Sequence, residues 1–315
     1  MKSEKILTGK VTAVLLAVFC CMLWGSAFPC IKIGYRLLDI DGSDSFSQLY
    51  FAGLRFTLAG VLTVLIGSVS EKRLLIPRGT EVPRVMLLSL FQTIAQYTFF
   101  YLGLARTSGM KSSIITGSNV LFSMILSAFV FRLEKLTLTK LTGCILGFAG
   151  VVLVNFQSGG DLSFRLTGEG FILFSAMSCG VSSCLTKRFA KDSDPVLMSG
   201  WQFIFGGAVM TVIGIAFGGR LGSVNIKGVL MLLWLAFVSA AAFSVWSLLL
   251  KHNPVSKISV YGFTNPIFGA LLSLILLGES GTVSLERASV SLVLVAVGII
   301  IVNKPRKKPN FLKTP

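Results

Sequence analysis

Long apolar runs follow one another along almost the whole chain, at residues 11–31, 47–68, 84–105, 112–131, 138–156, 170–186, 196–218, 228–250, 257–277 and 287–303. About 20 such residues suffice for one helix to cross the hydrocarbon core of a bilayer. Inside that core every backbone N–H and C=O must find its partner within the protein, and runs of this length do so as helices. The composition agrees, with 53% hydrophobic residues, 13% charged residues and a mean hydropathy of +0.81. No joint between runs could hold a soluble domain of even about 50 residues, so function must reside in the bundle or at its mouths. The first run follows Lys2, Lys5 and Lys10, yet its length, its Trp24 and Pro29, and the lack of a small-x-small cleavage site make it a retained span and not a leader. The expected fold is an all-α integral membrane protein with ten transmembrane helices.

A net charge of +16 would suggest nucleic acid as partner in a soluble protein; here it follows the positive-inside rule. With the N-terminus inside, 20 of the 29 Lys and Arg lie in cytoplasmic segments, eight in outer loops, and Arg55 in a span. Both termini are therefore expected in the cytoplasm, with the protein in the plasma membrane. The basic tail 304–315 reads as an orientation signal near anionic headgroups, and no nucleic acid is expected. Cys20, Cys21, Cys30, Cys144, Cys179 and Cys184 match no zinc or redox spacing and read as small packing residues.

The chain also repeats itself. TGSNVLFSMILSAFVFRLE (116–134) has a near copy in GFTNPIFGALLSLILLGE (262–279), each with an Asn near its start and a Glu at its end. LYFAGLRFTLAGVLTVLIG (49–67) overlies VLMSGWQFIFGGAVMTVIG (196–214), pairing Gly53 with Gly200, Gly60 with Gly207 and Gly67 with Gly214. GFAGVVLVN (147–155) overlies VAVGIIIVN (295–303). Offsets of 146–148 in order across three spans divide the chain into a first five-helix repeat (1–156), a linker (157–167), a second repeat (168–303) and the tail. Because five is odd, the second half enters the membrane inverted. Such halves can exchange conformations around a midplane site, which suits an alternating-access carrier.

WGSAF (24–28), Arg55 in GLRFTLAG, the helix-then-Glu endings at Glu134 and Gly278-Glu279, and Asn265-Pro266 resemble the drug/metabolite transporter superfamily, specifically its ten-span EamA-type members. The resemblance covers nearly the whole chain. It implies an exporter, less often an importer, of a metabolite or amino acid, with a cavity lined mainly by spans 1, 3, 4, 6, 8 and 9. The main alternative in the superfamily is a translocator of nucleotide-sugars or sugar phosphates. Triose-phosphate relatives place Lys just before the matched Asn positions, where this chain has Thr116 and Gly262, which weakens that alternative. Val120 stands where the second half has Pro266, setting the two helices apart in how they would break.

The candidate binding residues are Trp24, Arg55, Gln92, Gln96, Tyr97, Asn119, Trp246 and Asn265. Arg55, the one ionisable residue well inside a span, could grip a carboxylate or phosphate through its guanidinium fork, or bond helix carbonyls and snorkel outward. Asn119 and Asn265 sit at matching depth, where they could meet a ligand or bond between helices. On a regular helix Gln92 and Gln96 share a face and Tyr97 and Tyr101 the next one. Trp24, Trp201 and Trp246 fit a cavity wall or the membrane interface. Gln202 occupies the repeat position of Arg55, and the Gly-rich faces read as packing seams.

No GxxxxGK[ST], HExxH, paired-Asp or nucleophile-turn motif exists, so neither an enzyme nor an ATP-driven pump is expected, and no cofactor or metal. A channel would show a filter or ring of charge. The Asp and Glu residues fall in loops or at helix ends, which favours facilitated diffusion or exchange over a dedicated proton relay. The expected partners are a small-molecule substrate and the lipid bilayer, and a homodimer is left open.

Overall fold

The computed structural model describes residues 9–107, 109–155, 164–277 and 285–304, and every regular element among them is helical. Among the described residues eight helices are long and apolar enough to cross a membrane: α1 (Val11–Leu37), α2 (Ser45–Glu71), α3 (Val82–Leu104), α4 (Ser112–Val130), α6 (Leu166–Phe189), α7 (Pro195–Ala216), α8 (Ile226–His252) and α9 (Val255–Leu277). Two shorter apolar stretches, Leu138–Leu153 and Ser289–Asn303, lie in α5 (Leu138–Asn155) and α10 (Leu285–Asn303). Each matches an apolar run in the sequence. Most of the linker, nearly all of the tail and Gly278-Glu279 lie outside the described residues.

Short polar residues start several helices by satisfying the free N–H groups of the first turn. Asp44 accepts from Phe46 N and Ser47 N ahead of α2, Asp194 from Val196 N and Leu197 N ahead of α7, and Asn225 from Gly228 N ahead of α8. Pro195 opens α7, where its missing N–H costs nothing.

The neighbour pattern is its own mirror. Helix α2 packs on α7 and α5 on α10; α1 lies against α8 and α9, as α6 lies against α3 and α4. Exchanging each helix of the first five for its counterpart in the last five leaves this pattern unchanged. Apolar attraction between helices is weak in lipid, so close van der Waals approach carries more of the association. Glycine permits it where repeat-related helices meet. A Cβ on Gly60 would lie 2.5 Å from the Gly200 carbonyl oxygen, and one on Gly53 would lie 2.9 Å from the Gly207 carbonyl oxygen, the same contact seen from the other half. The α5–α10 seam repeats the device: a Cβ on Gly150 would lie 2.9 Å from Ser291 O, and Ser291 Oγ donates to Gly150 O at 2.6 Å.

All six cysteines are free and five are buried, four in the largest apolar cluster, as the packing role requires.

The α2–α7 seam yields a direct expectation. Gly60→Ala should destabilise the purified protein by about 2 kcal/mol, because backbone and not a flexible side chain stands in the way. Gly42→Ala, where a Cβ meets nothing within 4 Å, should leave the melting temperature unchanged. Equal melting temperatures for the two variants would refute the seam.

Candidate functional site

Helices α4 and α9 are both interrupted, at the same place in the repeat. In α4 the α-helix stops at Ser118 and resumes at Asn119; in α9 a 3-10 turn, Val260–Thr264, precedes Asn265. Proline is not the shared cause. Ser118 Oγ donates to Ile115 O at 2.5 Å, and Thr264 Oγ1 donates to Tyr261 O at 2.7 Å. A hydroxyl bonded back to a carbonyl three residues earlier competes with the helical ladder and bends it. Each Asn follows its hydroxyl directly, so both interruptions end on the candidate amides. They also face each other: a Cβ on Gly262 would sit 3.3 Å from the Val120 side chain and 4.0 Å from Asn119 Oδ1.

The helix crossing each interruption is matched as well. Gly25 of α1 admits Phe268 of α9, and Gly180 of α6 admits Phe122 of α4, a Cβ meeting the phenylalanine Cβ at 2.5 and 2.8 Å. Cys179-Gly180 therefore stands in α6 where Trp24-Gly25 stands in α1. The offset there is 155 instead of 146–148, so a fixed-offset comparison passes over it. Asn119 Nδ2 donates to Cys179 Sγ at 3.7 Å, whereas Asn265 Oδ1 and Trp24 Nε1, at the corresponding positions, are both buried without a partner.

Arg55 of α2 is 4% exposed, so it does not snorkel, and its Nε and Nη1 have no hydrogen-bond partner. No described carboxylate pairs with it. Its guanidinium carbon lies 4.3 Å from the centroid of the Phe56 ring, and Tyr97 is within electrostatic reach of Arg55, Tyr101 and Cys179. From Phe56 an aromatic wall crosses between the halves: Phe56 stacks on Phe203 at 5.1 Å, Phe203 meets Phe243 at 4.8 Å, and Phe243 and Trp246 each meet Trp24 at 4.9 Å. Trp246 is buried in this wall, and Tyr97 packs on Phe56 at 4.4 Å. Trp201 stands apart, its indole N–H donating to Leu75 O at 2.7 Å beyond the end of α2.

On α3 the regular spacing of the glutamines does not hold. A π turn, Leu90–Ala95, lies between them, so residues 92 and 96 no longer mark one ordinary helical turn. Gln92 Oε1 and Gln96 Oε1 are nonetheless both buried and unpaired. Gln202 is bonded at one end only: its Oε1 accepts from Thr93 Oγ1 at 2.6 Å, while its Nε2 is buried without a partner. The eight sequence candidates thus comprise one cation with free donors, one indole donor, three unpaired amide oxygens, one amide bound only to a thiol, and two aromatic rings. Among the described residues no group of three His, Cys, Asp or Glu could hold a metal.

Sequence reasoning left Glu134 as a helix-end motif. In the structure it ties the two halves together: its carboxylate accepts from Ser127 Oγ at 2.8 Å, from Ser256 N at 2.8 Å and Ser256 Oγ at 2.6 Å at the start of α9, and from the ammonium of Lys140. Burial pushes the carboxyl pKa up, but the bonds from Lys140, Ser256 and Ser127 outweigh it and hold the group below the ordinary carboxylate range. The signal in the sequence was the Glu ending both copies of the repeat.

The model of the EamA-like transporter family matches residues 11–156 and again 166–304. A chloroplastic WAT1-related protein of Arabidopsis thaliana is 28% identical over 91% of this chain and 68% of its own length. An uncharacterized transporter of Archaeoglobus fulgidus is 26% identical over 88% and 94%, and the uncharacterized inner membrane transporter YedA of Escherichia coli 25% over 90% and 88%. A solved crystal structure superposes with a TM-score of 0.76 at 17% identity, covering 94% of this chain and 97% of that one. The fold is therefore a known one.

The Glu134 network predicts an acid limit to stability. A carboxyl whose folded pKa is depressed stabilises fully above its unfolded value, about 4.3, and that contribution is lost as the pH falls through the folded pKa. Glu134→Gln should destabilise by about 2 kcal/mol at neutral pH, leaving the Lys140 ammonium without its partner, and should flatten the loss of melting temperature below about pH 4. A variant melting like the wild type across this range would refute the network.

Proposed function

The chain belongs to the EamA-like transporter family, and from that premise we propose an alternating-access carrier that moves a small zwitterionic metabolite, an amino acid, outward across the plasma membrane. In this reading ten helices span the bilayer as two inverted five-helix repeats with both termini cytoplasmic. The self-mirrored packing of α2 on α7 and of α5 on α10 supports two repeats related by a two-fold axis, and an odd number of spans in each repeat makes that relation an inversion. The relatives from Archaeoglobus fulgidus and Escherichia coli are named as transporters.

One observation carries the choice of substrate: Arg55 is buried with two guanidinium nitrogens unpaired and no described carboxylate beside it. A charge buried in hydrocarbon without an anionic partner is costly, so a solute bringing an anionic group gains from meeting it. Gln92 Oε1, Gln96 Oε1 and Asn265 Oδ1 are acceptors without donors, and an ammonium group supplies donors without acceptors. A zwitterion complements both sets. A sugar phosphate would use the cation but leave fewer donors for the amide oxygens. The absence of a carboxylate deep in any described span favours exchange or facilitated diffusion over proton coupling.

Purified protein in liposomes preloaded with mixed amino acids should take up a labelled amino acid by saturable counterflow. Arg55→Gln should raise the half-saturating concentration about a hundredfold, with the folded yield retained. Arg55→Lys should recover only part of this loss, because a point charge cannot form the fork. Undiminished affinity in Arg55→Gln would remove the carboxylate role, and absence of counterflow from folded protein would remove the amino acid.

A further inference from the structure

A second site lies far from Arg55, at the polar end of the bundle. Between the start of α3 and the end of α6 is a cavity of about 370 Å³ lined by Arg84, Leu87, Leu185, Arg188, Phe189 and Asp192. Its two guanidinium groups sit in the first turn of α3 and the last turn of α6, where long apolar helices meet water. That is the depth at which a bilayer places its phosphates. Its floor is apolar: Leu185 is buried, while Leu87 is 40% exposed and Leu90, one turn deeper on α3, is 46% exposed. An apolar strip therefore leads from the basic rim towards the hydrocarbon.

One side of the rim, Arg84, is held in position. Arg84 Nη1 donates to Ser193 Oγ at 3.2 Å, lies 3.7 Å from Asp192 Oδ2, and its guanidinium carbon is 5.9 Å from the centre of the Phe189 ring. Asp192 offsets one of the two positive charges, leaving the lining with a net charge of one. We propose that this cavity binds one anionic phospholipid, its singly charged phosphodiester on Arg84 and Arg188 and an acyl chain along Leu87 and Leu90. A monoanion matches the net charge, the fork geometry suits a phosphate's oxygens, and the apolar floor suits a chain that no free anion possesses. Because Arg84 and Leu87 come from the first half and Arg188 from the second, the lipid bridges α3 and α6. The site does not depend on the nature of the transported solute.

The test uses the whole protein in detergent, incubated with phosphatidylglycerol or phosphatidylcholine and examined by native mass spectrometry and thermal melting. Phosphatidylglycerol should be retained and should raise the melting temperature, and phosphatidylcholine should do neither. Arg188→Gln changes an exposed side chain and should weaken retention about fivefold, with Arg84→Gln adding a comparable factor. Unaltered retention in the singly substituted Arg188→Gln protein, or equal retention of the two lipids, overturns the proposal. Displacement of the lipid by millimolar inorganic phosphate also overturns it, reassigning the cavity to a free anion.

Discussion

Hydrocarbon offers no hydrogen bonds, and that single deficiency organises this molecule. A polar group placed among the helices must find a partner in the chain, take one from a ligand, or remain unpaired at a cost of several kcal/mol. Most groups are satisfied internally. The carbonyl of Tyr261, at the interruption of α9, accepts from both Thr264 Oγ1 and Cys21 Sγ. Gln202 Oε1 is engaged by Thr93, and the Gln96 carbonyl oxygen by Ser175. Others are buried without a partner, among them several hydroxyls, the Nε2 of Gln202, the nitrogens of Arg55 and the oxygens of Gln92, Gln96 and Asn265. In a soluble protein such groups would be wetted; in the carrier proposed here they are where a polar solute gains most from binding.

The same deficiency explains the seams. Because burying apolar side chains gains little in lipid, helices associate where their backbones come close. The close approaches fall on glycines equivalent in the two halves, Gly53 with Gly200 and Gly60 with Gly207, so each contact is made twice. Seams built from backbone have few interlocking side chains to disengage when one half moves against the other. Glu134 adds the opposite element, a charged tie from the end of α4 to the start of α9. In the carrier proposed here, smooth glycine seams permit motion and such polar ties hold an end state.

Much of this was legible in the sequence. Run length and hydropathy located the helices, because the bilayer imposes its thickness on them. The repeat was legible for α2, α4 and α5, where the glycines, Asn119 and the helix ends preserve the spacing. It was not legible for α1, since Cys179-Gly180 matches Trp24-Gly25 only through packing, with the side chain at the first position unlike and the offset shifted. The interruption of α4 was obscured because proline is the conspicuous helix breaker and Val120 replaces it. A serine bonded back to Ile115 does the same work and leaves no mark beyond its hydroxyl. The π turn between Gln92 and Gln96 depends on tertiary fit, which periodicity along one strand of sequence does not carry. Arg55 was conspicuous by its charge, but whether it snorkelled depended on neighbours that only the fold supplies.

Comparing the halves position by position separates scaffold from recognition. What is kept twice is backbone geometry: the glycine contacts, the hydroxyl bends at Ser118 and Thr264, the amides that follow them. What has diverged is side-chain chemistry at the same depth. Arg55 corresponds to Gln202, whose oxygen alone is hydrogen-bonded, and Trp24 to Cys179, which accepts from the amide of Asn119. A symmetric scaffold gives two related arrangements of the bundle similar internal energies, which a carrier needs if neither state is to trap it. A fully symmetric site would present equivalent groups to either end of a solute. In the carrier proposed here, a free cation on one half and free amide oxygens unequally shared would distinguish the two ends of a zwitterion, polarising recognition inside a scaffold that is not polarised.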